Sequence, residues 1–353
     1  MYLDLLKIFV PTTLAFLIAI FLTPFATNFF YKHKMWKKKP RTADTSSVDF
    51  QFIHTEKQEK EISTPCVGGS IIWISVLVTV FLFYILSILI PNDLLTKLNF
   101  FSRSQTLLPL GIFVLGAILG LADDLLEING KSHITRSEAW YTKLKIIIIV
   151  LISTLAGYWF FNKLGMTTVH FPFLGDIYLG ILIIPLFVLV ALATFSGGVI
   201  DGIDGLSGGV LASIFAGFTV IAYLNNQIDL ATLSAVITGT ILAFLWFNIP
   251  PARFYMGETG MMPLTLIIAV FAFLTNSIFI LPVLAFALVI TSMSNIIQMI
   301  SKKLRNGKRV FKVAPLHHHF EAIGWPSYKV TMRYWVLSVV FTIIGIILFV
   351  ISK

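Results

Sequence analysis

Residues 177–223 read IYLGILIIPLFVLVALATFSGGVIDGIDGLSGGVLASIFAGFTVIAY. Two apolar runs, 177–195 and 207–223, flank a short break that sets two aspartates among glycines. Runs of this length are those of membrane-crossing helices, which need about 20 apolar residues, fewer where the bilayer thins. They lack the alternation of barrel strands, so helices are expected. The pattern recurs outward from this stretch: runs near 8–31, 69–90, 105–122, 143–162, 230–247, 261–275, 277–297 and 333–351 complete a set of ten. The eighth and ninth meet at Asn276 and are the least separated.

The composition agrees. Of 353 residues, 57% are hydrophobic and 12% charged, with a mean hydropathy of +0.89. These values lie outside the range of soluble domains. The expected fold class is all-α: a polytopic integral membrane protein with about ten transmembrane helices, forming one domain over residues 1–353. The first run is too long for a signal peptide and lacks a small-x-small cleavage site, so it is read as a retained helix. Cys66 is the single cysteine, which excludes a disulfide framework.

The net charge of +9 follows topology rather than nucleic-acid binding. With alternating spans, the segments near 32–68, 123–142, 196–206, 248–260 and 298–332 share a face and hold most of the 26 Lys and Arg residues. The positive-inside rule makes that face cytoplasmic and puts both termini outside. No basic surface interleaved with aromatics is left over, so no nucleic-acid partner is expected. The middle of the first segment, Arg41 to Lys60, is polar and is read as mobile. Residues 301–332 mix cations with Phe311, Leu316, Phe320 and Trp325, as a folded flap would. On the other face, Thr167–Tyr178 carries the signals of a short hairpin.

The chemistry-bearing residues lie in those same-face segments. Asp123 and Asp124 close the third run, at the negative end of a helix dipole and beside each other. A divalent cation or a shared proton would relieve both costs. Asp201 and Asp204 are three apart, within reach of one helical face, and the glycines around them, Gly202 included, allow close backbone approach to an anion. Glu258 adds a third carboxylate side, Asn248 can donate and accept hydrogen bonds, and Tyr255 or Phe254 can stack on a flat base. His317, His318 and His319 cannot all point inward from one helix, so a zinc trio is not expected. They suit donors to phosphate or carbonyl oxygens, and His317 a proton-transfer role. Lys308, Arg309 and Lys312 beside them suit a polyphosphate. Together the loops read as a site for Mg²⁺ and a nucleotide diphosphate, with an acceptor that lives in the bilayer.

These motifs carry a resemblance. Ser63-Thr-Pro-Cys-Val-Gly-Gly69, Ala122-Asp-Asp124, Asp201-Gly-Ile-Asp-Gly-Leu206, Phe247-Asn248, Tyr255-Met-Gly-Glu-Thr-Gly260 and Pro315-Leu-His-His-His-Phe-Glu321 with Gly324-Trp325 are similar to those of the phospho-N-acetylmuramoyl-pentapeptide-transferase family. That family belongs to the polyprenyl-phosphate N-acetylhexosamine-1-phosphate transferase superfamily. The resemblance implies an enzyme of peptidoglycan synthesis and cell-wall biogenesis in the plasma (inner) membrane. It implies transfer of phospho-N-acetylmuramoyl-pentapeptide from its UDP donor to undecaprenyl phosphate, forming lipid I and UMP with Mg²⁺. By position it implies that Asp123 or Asp124 deprotonates the lipid phosphate or attacks the diphosphate, and that Glu258, with Asp124, binds the metal. Asp201 and Asp204 then lie near uridine and diphosphate, Asn248 and Tyr255 contact the nucleotide, and the three histidines shape the sugar and diphosphate pocket. Lys60 and Lys143 are matched as substrate-binding lysines, and a homodimer is a family habit.

Several positions depart from the family pattern. Glu258 stands for the usual Asp, Gly198 for Asn, and Glu127 for Lys, while the Glu usual near Thr291 is missing. These departures leave room for an inactive relative kept for partner binding, and two further readings compete. One is a sister transferase using UDP-N-acetylglucosamine or another such donor, which the form of the histidine motif disfavours. The other is an ion-coupled transporter, which would place charges at the midplane rather than at span ends.

Overall fold

The computed structural model describes residues 2–38, 62–90, 92–130 and 137–352. Lys60 and the Arg41–Lys60 segment lie outside the described residues. Among the described residues, thirteen helices and one hairpin follow in order: α1 (Tyr2–Lys32), α2 (Ser70–Leu89), α3 (Asp93–Leu98), α4 (Leu107–Ile128), α5 (Ser137–Asn162), β1 (Thr168–Phe171), β2 (Gly175–Tyr178), α6 (Ile183–Ser196), α7 (Leu206–Leu224), α8 (Ile228–Asn248), α9 (Gly257–Leu274), α10 (Leu281–Leu284), α11 (Phe286–Leu304), α12 (Leu316–Ala322) and α13 (Ser327–Ser352). Short 3₁₀ turns precede α6 and follow it.

Nine of the ten apolar runs become helical stretches long and apolar enough to cross a membrane. The protein is therefore a multi-pass membrane protein. The remaining run, 277–297, breaks at Ala285 into α10 and α11. Helix α11 is inverted for an aqueous protein. Thr291, Ser294, Gln298 and Ser301 are buried, whereas Met293, Ile300 and Leu304 are exposed. Its polar stripe is used to hold the flap described below.

Burial sorts the helices by depth. Helices α7, α8 and α9 are buried over most of their length, whereas α1, α5 and α13 turn apolar side chains such as Phe25, Leu155 and Ile351 outward. In water such surfaces would drive aggregation; in lipid they are the solvated face. Helix α9 sits at the centre, against α4, α6 and α2. Small residues permit this. A Cβ on Gly116 would lie 2.8 Å from Pro263 Cα, and one on Gly120 would collide with the Glu258 carbonyl. The close approach of α4 to α9 is what brings Asp123 and Asp124 beside Glu258.

The expected hairpin forms. β1 and β2 pair antiparallel, Thr168 opposite Tyr178 and Phe171 opposite Gly175, with the turn supported by a positive φ at Phe173 and Gly175.

Candidate active site

Helix α4 ends with three carboxylates, Asp123, Asp124 and Glu127, and no basic residue in its last turn. Negative charge at a helix C-terminus is unfavourable unless it is met from elsewhere. Each carboxylate is met by a different segment. Asp123 Oδ2 accepts from Lys145 Nζ of α5 at 2.7 Å, and the same ammonium lies 3.4 Å from Glu258 Oε1. Asp124 is buried. Its Oδ1 accepts from the Glu258 amide (3.2 Å), and its Oδ2 accepts from the Thr259 amide (2.8 Å) and hydroxyl (2.6 Å). It thus serves as the acceptor for the N-terminus of α9, where the dipole favours an anion. Glu127 pairs with Lys37 at 2.7 Å.

The glycine-rich turn between α6 and α7 docks on the same place. Asp201 accepts from Ser207 Oγ (2.7 Å) and from the Gly257 amide (3.2 Å), and Asp204 accepts from the Ala252 amide (3.2 Å). Asn248 is buried and bridges two loops, accepting from the Gly205 amide (3.0 Å) and donating to the Phe254 carbonyl (2.8 Å). Its amide is thereby committed to holding the turn. The 65–69 segment runs alongside: the Tyr255 amide donates to the Pro65 carbonyl, and Gly68 and Gly69 donate to the Tyr255 and Met256 carbonyls, at 2.8–3.0 Å. Tyr255 is half-buried. Gly257 has φ +64°, and a Cβ there would strike the Cys66 carbonyl. Burial, with the Asp124 charge adding to it, pushes the Cys66 thiol up to about 12, leaving it an inert packing group.

The three histidines separate, as helix geometry requires. His317 is fully buried, and its Nε2 and that of His318 lie 2.5 and 2.8 Å from where a Cβ on Gly202 would sit. His318 Nδ1 faces Glu321 Oε2 at 2.7 Å, and Ser327 donates to the other oxygen of Glu321. That carboxylate orients the ring so that Nε2 turns toward the glycine turn. His319 points elsewhere. Its Nδ1 accepts from the Lys312 amide at 3.1 Å, and burial, with Lys312 beside it, holds its pKa below the ordinary range. The flap that presents them is bracketed by α11. Gln298 Oε1 accepts from the Val310 and Phe311 amides, Gln298 Nε2 donates to the Phe311 carbonyl, and Ser294 Oγ accepts from the Leu316 amide.

With that geometry in place, the likeness to known proteins is extensive. Residues 106–276 match the Glycosyl transferase family 4 pattern. The chain is 32% identical to the phospho-N-acetylmuramoyl-pentapeptide-transferase of Anoxybacillus flavithermus, over 94% of this chain and 95% of that one. It is 31% identical to that of Clostridium perfringens over 96% of each chain. The chain belongs to the phospho-N-acetylmuramoyl-pentapeptide-transferase family. The enzyme of the same name from Shouchella clausii is 33% identical, over 82% of this chain and 85% of its own.

Seen as a family site, the convergence includes Asp123, Asp124, Asp201, Asp204, Gly202, Asn248, Tyr255, Glu258, His317 and His318. It leaves out Lys143, which is exposed on α5, and turns His319 toward Lys312. The cation between Asp123 and Glu258 is Lys145, two residues on. Its signal in the sequence was only its place at the head of an apolar run, where a charge invites a partner. Lys37 and Gln298 are likewise polar residues at span ends whose partners only the fold supplies.

Among the described residues, no group of three or more His, Cys, Asp or Glu side chains is arranged to enclose a metal. The donors nevertheless suit magnesium. Asp123 and Glu258 turn carboxylate oxygens to one shared ammonium, and Mg²⁺ is ordinarily held by one or two carboxylates, with substrate phosphates and water completing its shell.

Proposed function

We propose that this chain transfers phospho-N-acetylmuramoyl-pentapeptide from its UDP donor to undecaprenyl phosphate, forming lipid I and releasing UMP. The observation that carries this reading is the meeting of Asp123, Lys145 and Glu258 at the same end of the bundle as the Asp201–Gly205 turn and the histidine flap. That end also gathers the basic loops, which supports a cytoplasmic site with both termini outside. A single membrane domain spans the chain in this reading.

An oxygen of the lipid phosphate attacks the sugar-linked phosphorus of the donor; the bridging P–O bond breaks and UMP departs. Such a transfer needs in-line placement and compensation of charge. Asp123 is the carboxylate suited to orient the acceptor or take its proton, because both oxygens of Asp124 are engaged by α9. Asp124 holds Glu258 in place. Lys145 steadies Asp123 and Glu258 and offers positive charge to the phosphates. Asp201 and Asp204 set the turn under the diphosphate, and Tyr255 supplies a ring for uracil. His317 and His318 close over Gly202 and donate to the sugar or diphosphate oxygens. Glu258 would hold Mg²⁺, which would neutralise diphosphate charge when bound.

The test is UMP release by the purified protein in detergent or liposomes with undecaprenyl phosphate and Mg²⁺. Turnover is expected with the UDP-muramoyl-pentapeptide and not with UDP-N-acetylglucosamine. Turnover with the second donor alone would assign the sister activity, and none with either would refute the reading.

A further inference from the structure

Glu127 stands where the family pattern has a lysine, and the structure supplies the opposite charge from another segment. Lys37, just past α1, is only 7% exposed and meets Glu127 at 2.7 Å. The surrounding contacts form a closed circuit. Two residues before Lys37, the Met35 carbonyl accepts from the Cys66 amide at 3.0 Å. The residues flanking Cys66 pair with Tyr255 and Met256. The next two residues are Gly257 and Glu258, and the Glu258 amide returns to Asp124 on α4. Lys37 and Glu127 form an ion pair in this ring, and they join its two ends.

We propose that the Lys37–Glu127 pair is a clasp that docks the first loop onto the acid-bearing end of α4, and that Lys37 is a positioning residue for Asp123 and Glu258. A half-buried ion pair suits this role. Removing one partner leaves the other charge stranded, whereas exchanging the two preserves the attraction. The effect on turnover rests on the transferase reading; the docking itself does not.

Cys66 makes the docking measurable, because it is the single cysteine and is 2% exposed inside the ring. The experiment compares the intact chain with Lys37→Glu, Glu127→Lys and the double exchange, in detergent without denaturant. The two readouts are the rate of Cys66 maleimide labelling and, separately, kcat and KM for UMP release. Each single variant is expected to label about tenfold faster, because opening of the ring becomes easier, and to lose about tenfold in kcat with KM little changed. The double exchange is expected to restore both. A neutral Lys37→Met variant gives an intermediate labelling rate, which separates loss of the pair from repulsion. Labelling unchanged in both single variants, or labelling that stays fast in the double exchange, would overturn the clasp. If no variant, nor the parent chain, releases UMP while labelling follows the expected pattern, the clasp stands and the transferase reading fails.

Discussion

The two ends of the bundle use polar residues differently. At the hairpin end, bonds close turns and tie segments together: Lys7 with Asp229, Asn225 Nδ2 with the Thr275 carbonyl, Gln227 Nε2 with the Leu274 carbonyl, Gln105 Oε1 with the Leu230 amide, and the His170 ring with Asp176 and the Ser352 carbonyl. At the acid end, Asp123 and Glu258 share one ammonium, Asp124 takes three donors from a neighbouring helix, and Asp201 reaches the first turns of two helices. The first arrangement satisfies groups that would otherwise be stranded near lipid. The second concentrates carboxylates beyond what packing needs, around glycines that let backbone come close. A concentration of carboxylates at one place is what sets a site apart from a well-sealed helix end.

The sharpest way to break this contrast is Glu258→Ala, which removes one of the two carboxylates that share Lys145. Turnover should fall about a thousandfold, of the order seen when a preorganised charge is removed from a phosphoryl-transfer site. The Mg²⁺ concentration needed for the residual rate should rise, whereas Glu258→Asp should retain activity. Next is Gly202→Ala. Its Cβ would press on His317 and His318, and the flap would have to move. About a hundredfold loss in kcat/KM is expected, with UDP-donor KM rising.

Asp124→Asn tests structure more than chemistry. An amide keeps one acceptor and turns a donor toward the α9 amides, so the unfolding free energy should fall by about 1–3 kcal/mol, read as a lower Tm in detergent. The smallest effect concerns pH. The pKa of His319 is lowered in the folded chain, so the folded state favours the neutral ring. Stability from this residue is complete above its unfolded value of about 6.5 and declines as pH falls from there toward the folded value. A small drop in Tm between pH 7.5 and 5.5 should be lessened in His319→Phe.

Much of this was legible in the sequence, for identifiable reasons. Apolar run length fixes membrane helices directly, because lipid forbids unpaired backbone. The grouping of Asp123, Asp201, Glu258 and the histidines followed from parity of crossings alone. The hairpin at 168–178 followed from turn residues around Phe171 and Gly175. Partners across the bundle were another matter. Nothing along the chain distinguishes Lys145 from Lys143; only the rotation of α5 against α4 puts one beside Asp123 and leaves the other exposed. Likewise nothing along the chain shows that Asn248 bonds to the Gly205 amide and the Phe254 carbonyl. The ninth run looked apolar over 277–297 but continues into an amphipathic helix, because its polar residues face the flap rather than lipid.

The most direct measurement sets the two ends against each other. UMP release from the muramoyl-pentapeptide donor, dependent on undecaprenyl phosphate, is compared in Asp123→Asn and in the Lys7→Met, Asp229→Leu pair. The expected result is loss of turnover by about three orders of magnitude in the first, and turnover within about twofold of the parent in the second. Full activity in Asp123→Asn would contradict the assignment of the acid end as the seat of the chemistry.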